Sequence, residues 1–292
     1  MNLMRTLVAT SRPISWVNTA YPYGFAYLLA GGSWRDWLFW AGVVFFLVPY
    51  NLSMYGINDV FDYESDLRNP RKGGVEGALT GREHHRAILW ACAVSCVPFL
   101  VALFAAGTVW SGVALAVTMF AVVAYSAAGL RFKEVPFLDS ATSATHFVGP
   151  AVVGALILGT TVPAAGWAAL AAFFAWSMAS HAFGAVQDIR ADREGGIASI
   201  GTVLGARATV WVSIGLYLAA AGLMLVTPLP WTWMAVVPLA YVVSVSPFAD
   251  ITDADCERAH AGWTRFLWLN YVAGAAMTMT WLAGAMQAEI LV

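Results

Sequence analysis

The chain has 292 residues, of which 60% are hydrophobic and only 11% charged, with a formal net charge of −2. A soluble domain carries roughly 25% charged residues, so the composition excludes one and points to a polytopic membrane protein with the lipid bilayer as its surroundings. The near-neutral balance offers nucleic acid no basic surface, and no nucleic-acid partner is expected.

Ahead of the first apolar run, Arg5, Thr10, Ser11 and Arg12 leave no short apolar core of the kind a cleaved leader needs, so the first segment is expected to stay. Apolar stretches of about 20 residues, enough to cross roughly 30 Å of hydrocarbon, then follow near 14–33, 37–57, 86–107, 110–130, 136–158, 164–187, 208–227, 232–250 and 264–286. The expected fold class is all-α: nine transmembrane helices in a single domain over residues 1–292. Short joins such as Gly31-Gly32-Ser33 and Thr227-Pro228-Leu229-Pro230 alternate with charged ones at 58–85, 131–135, 188–207 and 251–263. Fourteen of the fifteen Lys and Arg fall on the charged side and Arg35 alone on the other. Because basic residues are retained in the cytoplasm, the expected topology puts the N-terminus and charged loops in the cytoplasm and the C-terminus outside. Cys92, Cys96 and Cys256 lie among apolar neighbours and are assigned no chemistry.

The second span ends in Asn58-Asp59-Val60-Phe61-Asp62-Tyr63-Glu64-Ser65-Asp66, and the sixth in Gln187-Asp188-Ile189-Arg190-Ala191-Asp192. Spacings of three and four residues set Asp59, Asp62 and Asp66 on one helical face, and clustered hard oxygens suit a divalent cation such as Mg²⁺. The paired lead-ins, an amide followed by an aspartate at the end of an even-numbered span, hint at duplication of a four-helix unit. They also suggest that the two acidic groups wall one site.

Polar residues inside spans cost free energy, so they either line a site or, as is the simpler reading for Thr142, Ser143 and Ser177, hydrogen-bond between helices. Three stripes occur, Asn51, Tyr55, Asn58 and Asp62 on the second span, Asp139, Thr142, Ser143 and His146 on the fifth, and Ser177, His181, Gly184 and Asp188 on the sixth. They predict a central cavity open at the charged end. The same loops carry Arg68, Arg71, Lys72, Arg131 and Lys133, and acids interleaved with bases suit a metal-bridged diphosphate. Diphosphate held beneath an apolar cavity is what ionising an allylic diphosphate requires, with the metal neutralising the departing charge. Tyr55, one turn above Asp59, is the first candidate to face the allylic cation.

At these residues the chain resembles the UbiA superfamily of intramembrane prenyltransferases. Asn58, Asp59, Asp62 and Asp66 match its Asn-Asp-x-x-Asp-x-x-x-Asp motif, and Asp188 and Asp192 match the shorter form of its second motif, without the middle acid of the longer form. Within it, Ser11-Arg12-Pro13-Ile14-Ser15-Trp16, Pro49-Tyr50-Asn51, the stretch from Met54 to Gly77 and Trp268-Leu269-Asn270-Tyr271 are similar to lycopene elongases of fifty-carbon carotenoid synthesis. The resemblance implies nine helices with a cytoplasmic cap, and Mg²⁺-dependent transfer of a dimethylallyl group from its diphosphate to the ends of lycopene. It implies metal binding by Asp59, Asp62, Asp66, Asp188 and Asp192, and a complex with other carotenoid enzymes. Proton loss or capture by water would finish the reaction, with diphosphate, His146 or His181 as proton acceptor. A quinone or tetrapyrrole prenyltransferase is the alternative within enzymes. A cation channel or carrier is the alternative outside them, opposed by the apolar outer halves of the second and sixth spans.

Overall fold

The computed structural model describes residues 3–67 and 80–290, with the side chains of residues 65, 66 and 285–290 also outside the description. Every regular element among the described residues is helical. In chain order the α-helices are α1 (Leu3–Thr10), α2 (Val17–Leu29), α3 (Trp37–Leu47), α4 (Pro49–Phe61), α5 (Tyr63–Asp66), α6 (Arg82–Ala106) and α7 (Val109–Ser126). They continue as α8 (Leu138–Leu156), α9 (Ala164–Val186), α10 (Ile189–Glu194), α11 (Ile200–Leu204), α12 (Ala206–Met224), α13 (Val236–Val245) and α14 (His260–Ile290). Residues 1–133 with 145–162 form one compact unit and residues 134–144 with 163–292 a second.

Among the described residues six segments are long and apolar enough to cross a bilayer: Trp37–Phe61, Arg82–Ala106, Val109–Ser126, Ala164–Val186, Ala206–Met224 and Trp231–Phe248. Each coincides with an expected span. The other three expected spans are helices too, but α2 has only 13 residues, α8 is diluted by Asp139, Ser140, Thr142, Ser143, Thr145 and His146, and α14 by Asn270, Thr278 and Thr280. A count of nine therefore rests, for those three, on the sequence. Exposed Trp90, Val94, Val97, Val101 and Phe104 recur at three- and four-residue steps along α6, the pattern of a lipid-facing stripe.

The first unit is organised around a break. Pro49 has no N–H and starts α4, so the apolar run from Trp37 to Phe61 divides at Val48 and leaves carbonyls of α3 without helical donors. Asn51 Nδ2 supplies the missing hydrogen, donating to Phe46 O at 2.8 Å, Leu47 O at 3.0 Å and Thr19 Oγ1 at 2.7 Å, while Thr19 donates to Phe46 O at 2.7 Å. Repairing freed backbone groups in this way lets a proline sit inside a membrane helix. Around the break pack the fully buried rings of Tyr23, Tyr27, Phe45, Phe46 and Tyr50. Gly42 is required there because the Tyr23 ring occupies the space a Cβ would fill.

The second unit has its own aromatic core. Trp176 of α9 meets Tyr241 of α13 edge-on at 5.1 Å, Tyr241 stacks on Tyr217 of α12 at 5.4 Å, and Ser180 shares a hydrogen bond of 2.9 Å with the Tyr217 hydroxyl. Tyr241 donates to Asn270 Oδ1 of α14 at 2.8 Å. The hydroxyls of Tyr217 and Tyr241 are thus both paired, as burial demands.

Candidate active site

The first acidic group lies where α4 ends. Asp62 occupies the C-cap, its N–H bonded to Asn58 O at 2.9 Å, and the helical spacing leaves Asp59 less than a turn away. Both carboxylates are nearly inaccessible, Asp59 at 2% and Asp62 at 4%. Ionised carboxylates so enclosed need positive partners. Asp59 Oδ1 accepts from Arg12 Nη2 at 2.9 Å, and Asp62 pairs with Lys133 and, at 3.7 Å, with Arg131. The Arg12 guanidinium also lies 4.1 Å from the centroid of the Tyr55 ring, so the face of this tyrosine already accommodates a cation.

Of the expected site residues in this unit, Tyr55, Asn58, Asp59, Asp62, Arg131 and Lys133 come together. Asn58 is oriented by α7, its Oδ1 accepting from Ser126 Oγ at 2.7 Å. Asn51 and His146 are placed among structural contacts: Asn51 braces the break at Pro49, while His146 accepts from Tyr50 through its carbonyl at 3.0 Å and meets Tyr125 ring edge to face at 5.2 Å. The Asp66 side chain and all of Arg68, Arg71 and Lys72 lie outside the described residues. On either side of that gap, Arg82 pairs with Glu64, and Tyr63 meets His85 edge-on at 4.9 Å.

The second acidic group begins where α9 ends. Asp188 is the N-cap residue of α10, and Asp192 N–H bonds to Asp188 O at 2.8 Å; both side chains are half-buried. α10 is short because Gly195 and Gly196 close it. Ile197 N–H returns to Asp192 O at 2.8 Å and Gly196 N–H to Arg193 O at 3.2 Å, a Schellman turn whose left-handed residue, Gly196 at φ +69°, must lack a Cβ. Gln187 matches Asn58 in position and is likewise held, its Oε1 accepting from His260 Nδ1 at 2.8 Å. The arginines flanking Asp192 pair with the loop before α14: Arg193 with Asp253 at 2.6 Å and Arg190 with Glu257 at 3.7 Å. Asp253 is held below the usual carboxylate range chiefly by the Ala206 N–H, with Arg193 adding to the effect. His181 of α9 is half-buried and shares a hydrogen bond of 3.1 Å with Ser140 Oγ.

Arg12, Ser126 and His260 were not expected at the site from the sequence. Arg12 was legible as one positive charge among fourteen on the basic side and as part of the Ser11-Arg12-Pro13-Ile14-Ser15-Trp16 block, with no partner assigned to it. Its partner lies 47 residues away, a pairing that no local pattern encodes. Ser126 is bonded to Asn58 across 68 residues of sequence.

Among the described residues no group of three or more His, Cys, Asp or Glu side chains is gathered closely enough to hold a metal by itself. Such a donor set still fits Mg²⁺, which is usually held by one or two carboxylates, completed by water and substrate phosphate. Asp59 and Asp62 supply hard carboxylate oxygens of that kind. Arg12, Arg131 and Lys133 beside them are a matching set of cations for an anionic ligand.

Residues 19–285 match the family model described as the UbiA prenyltransferase family. A lycopene elongase/hydratase of Corynebacterium glutamicum is 56% identical over 97% of this chain and 98% of its own length. A C50 beta-cyclic carotenoids biosynthesis protein, LbtBC, of Dietzia sp. strain CQ4 is 56% identical over 94% of this chain and 64% of its own length. In fold, the chain is similar to a UbiA homologue from Archaeoglobus fulgidus solved with DMAPP and Mg²⁺, with a TM-score of 0.65 at 17% identity over 92% of this chain and 99% of that one.

Proposed function

The chain belongs to the UbiA prenyltransferase family and is a multi-pass membrane prenyltransferase, and from that premise we propose that it transfers a five-carbon prenyl group from dimethylallyl diphosphate to the ends of lycopene. The single observation that carries the reading to a diphosphate is the pair of buried aspartates, Asp59 and Asp62, matched by Arg12, Arg131 and Lys133. Near-full-length identity to a lycopene elongase/hydratase supports the acceptor.

In this reading Asp59, Asp62, Asp66, Asp188 and Asp192 would hold Mg²⁺ through carboxylate oxygens. Bound Mg²⁺ supplies Lewis acidity to the leaving group. Arg131 and Lys133 exchange Asp62 for the oxygens of the donor, and Arg68, Arg71 and Lys72 meet what charge remains. The C1–O bond of the donor breaks with both electrons leaving on diphosphate, and Tyr55 turns its ring face toward the resulting allylic cation. A terminal double bond of lycopene supplies the electron pair for the new C–C bond. The tertiary cation so formed loses a proton, or is captured by water that then loses one, the proton passing in either case to the released diphosphate. Asn58, fixed by Ser126, keeps Asp59 and Asp62 in register. The charged loops and the N-terminus face the cytoplasm, where the water-soluble donor is found.

Expression in a lycopene-accumulating bacterium tests this reading. The expected pigments are heavier than lycopene by one and two five-carbon units on mass spectrometry of membrane extracts. Unchanged lycopene, with a prenylated quinone precursor or tetrapyrrole in its place, would contradict it.

A further inference from the structure

Two consecutive residues at the start of α8, Asp139 and Ser140, have no part in the reaction described above, yet both are fully buried. Asp139 Oδ2 accepts from Ile200 N–H, the first residue of α11, at 2.7 Å, and its Oδ1 accepts from Ser140 N–H at 2.6 Å. Ser140 Oγ shares its hydrogen bond with His181 Nδ1 on α9. His181 and Ile200 stand on either side of the stretch that carries Asp188 and Asp192. Between these anchors the chain turns from α9 into α10 and through the Schellman turn at Gly196, and Ser199 then caps α11 with Thr202 N–H donating to its Oγ at 3.3 Å. An acid-bearing segment with a glycine turn inside it is held in one geometry only if both its ends are fixed, and the Asp139-Ser140 pair fixes both.

We propose that Asp139 and Ser140 are positioning residues for the second acidic group, setting the separation and orientation of Asp188 and Asp192 as metal ligands; this rests on the reading of those aspartates as Mg²⁺ ligands. The carboxylate at 139 is needed as a double acceptor. An amide there presents an NH₂ to one of two N–H groups, so Asp139→Asn releases one arm while keeping the volume. Ser140→Ala releases the His181 arm alone, and Ser140→Thr retains the hydroxyl.

The test is titration of the purified full-length protein with Mn²⁺ in the presence of inorganic diphosphate, following the loss of the free Mn²⁺ electron paramagnetic resonance signal. Loss of a residue that orients a metal ligand costs about 10- to 100-fold in affinity. Asp139→Asn is expected to weaken Mn²⁺ binding about 10-fold and Ser140→Ala by less, with Ser140→Thr restoring it and the KM for lycopene unmoved throughout. Wild-type affinity in both Asp139→Asn and Ser140→Ala overturns the proposal. So does a rise in the lycopene KM without a change in Mn²⁺ affinity. If Asp139→Asn does not fold, the Ser140→Ala and Ser140→Thr pair decides, and equal affinity in the two overturns it. Wild-type affinity in Asp188→Asn would instead overturn the reading of Asp188 as a ligand, a result separable from the others.

Discussion

The two acidic groups begin alike, an amide followed by an aspartate at the end of a long apolar helix, but the units that hold them treat them differently. In the first, Asp59 and Asp62 are buried and matched directly by Arg12, Lys133 and Arg131. In the second, Asp188 and Asp192 are half-buried, the neighbouring Arg190 and Arg193 reach to Glu257 and Asp253, and order comes from behind, through His260 on Gln187 and the Asp139-Ser140 pair on the flanks. A buried carboxylate cannot stay ionised without a cation beside it, so the first group is built around charge matching. The second group is only half-buried, and what distinguishes it is that the backbone on both its flanks is tied down. One motif chemistry is thus positioned by two physical means.

The largest effect should be common to both groups. Replacing Asp59, Asp62 or Asp188 by Asn removes a charged oxygen while keeping the shape, and turnover is expected to fall on the order of 10³-fold in each, since a metal contributes several kcal/mol and each 1.36 kcal/mol is tenfold. Near-normal turnover in one of them, measured with labelled donor in detergent, would remove that aspartate from the chemistry.

Stability should separate the groups where catalysis does not. Arg12→Ala removes the cation that pairs with the carboxylate of Asp59, 1% exposed in its side chain, and is expected to cost about 3 kcal/mol. The double variant Arg12→Ala with Asp59→Asn should recover much of that loss. Arg193→Ala breaks an exposed pair and should cost under about 1 kcal/mol. Equal losses on thermal unfolding would erase the distinction between a buried ion pair and an exposed one.

The smallest effect concerns the loop that engages the second group. Because the folded state holds Asp253 below the ordinary carboxylate value of 3.8, its contribution is full above that value and is lost as pH falls through the lower, folded one. Wild type should exceed Asp253→Asn in unfolding temperature at neutral pH, and the gap should close as the medium is acidified below the ordinary value. A gap that widens on acidification would reverse the sign.

Much of this was legible in the sequence, for reasons that also explain the rest. Six spans could be read from apolar length alone, because the bilayer enforces it, and the acidic groups stood out because charge at the end of such a run is costly. The break at Val48 was less visible, since Trp37 to Phe61 reads as one run and only Pro49 marks the division. Asn51 was recognised as a polar residue on an apolar helix, but its bonds to Phe46, Leu47 and Thr19 depend on that break. The ties of Arg12 to Asp59 and of Asp139 to Ile200 span 47 and 61 residues. Periodicity reports which face a residue occupies and not what lies opposite, so such partners become visible only once the helices are packed.

The most direct test of the central claim is a single-turnover reaction of the purified protein with labelled dimethylallyl diphosphate and lycopene, run in parallel with Mg²⁺ and with a chelator in excess. The account predicts label in a five-carbon-extended carotenoid with Mg²⁺ and none with the chelator. Equal extension in both reactions, or no label in carotenoid under either condition, would contradict it.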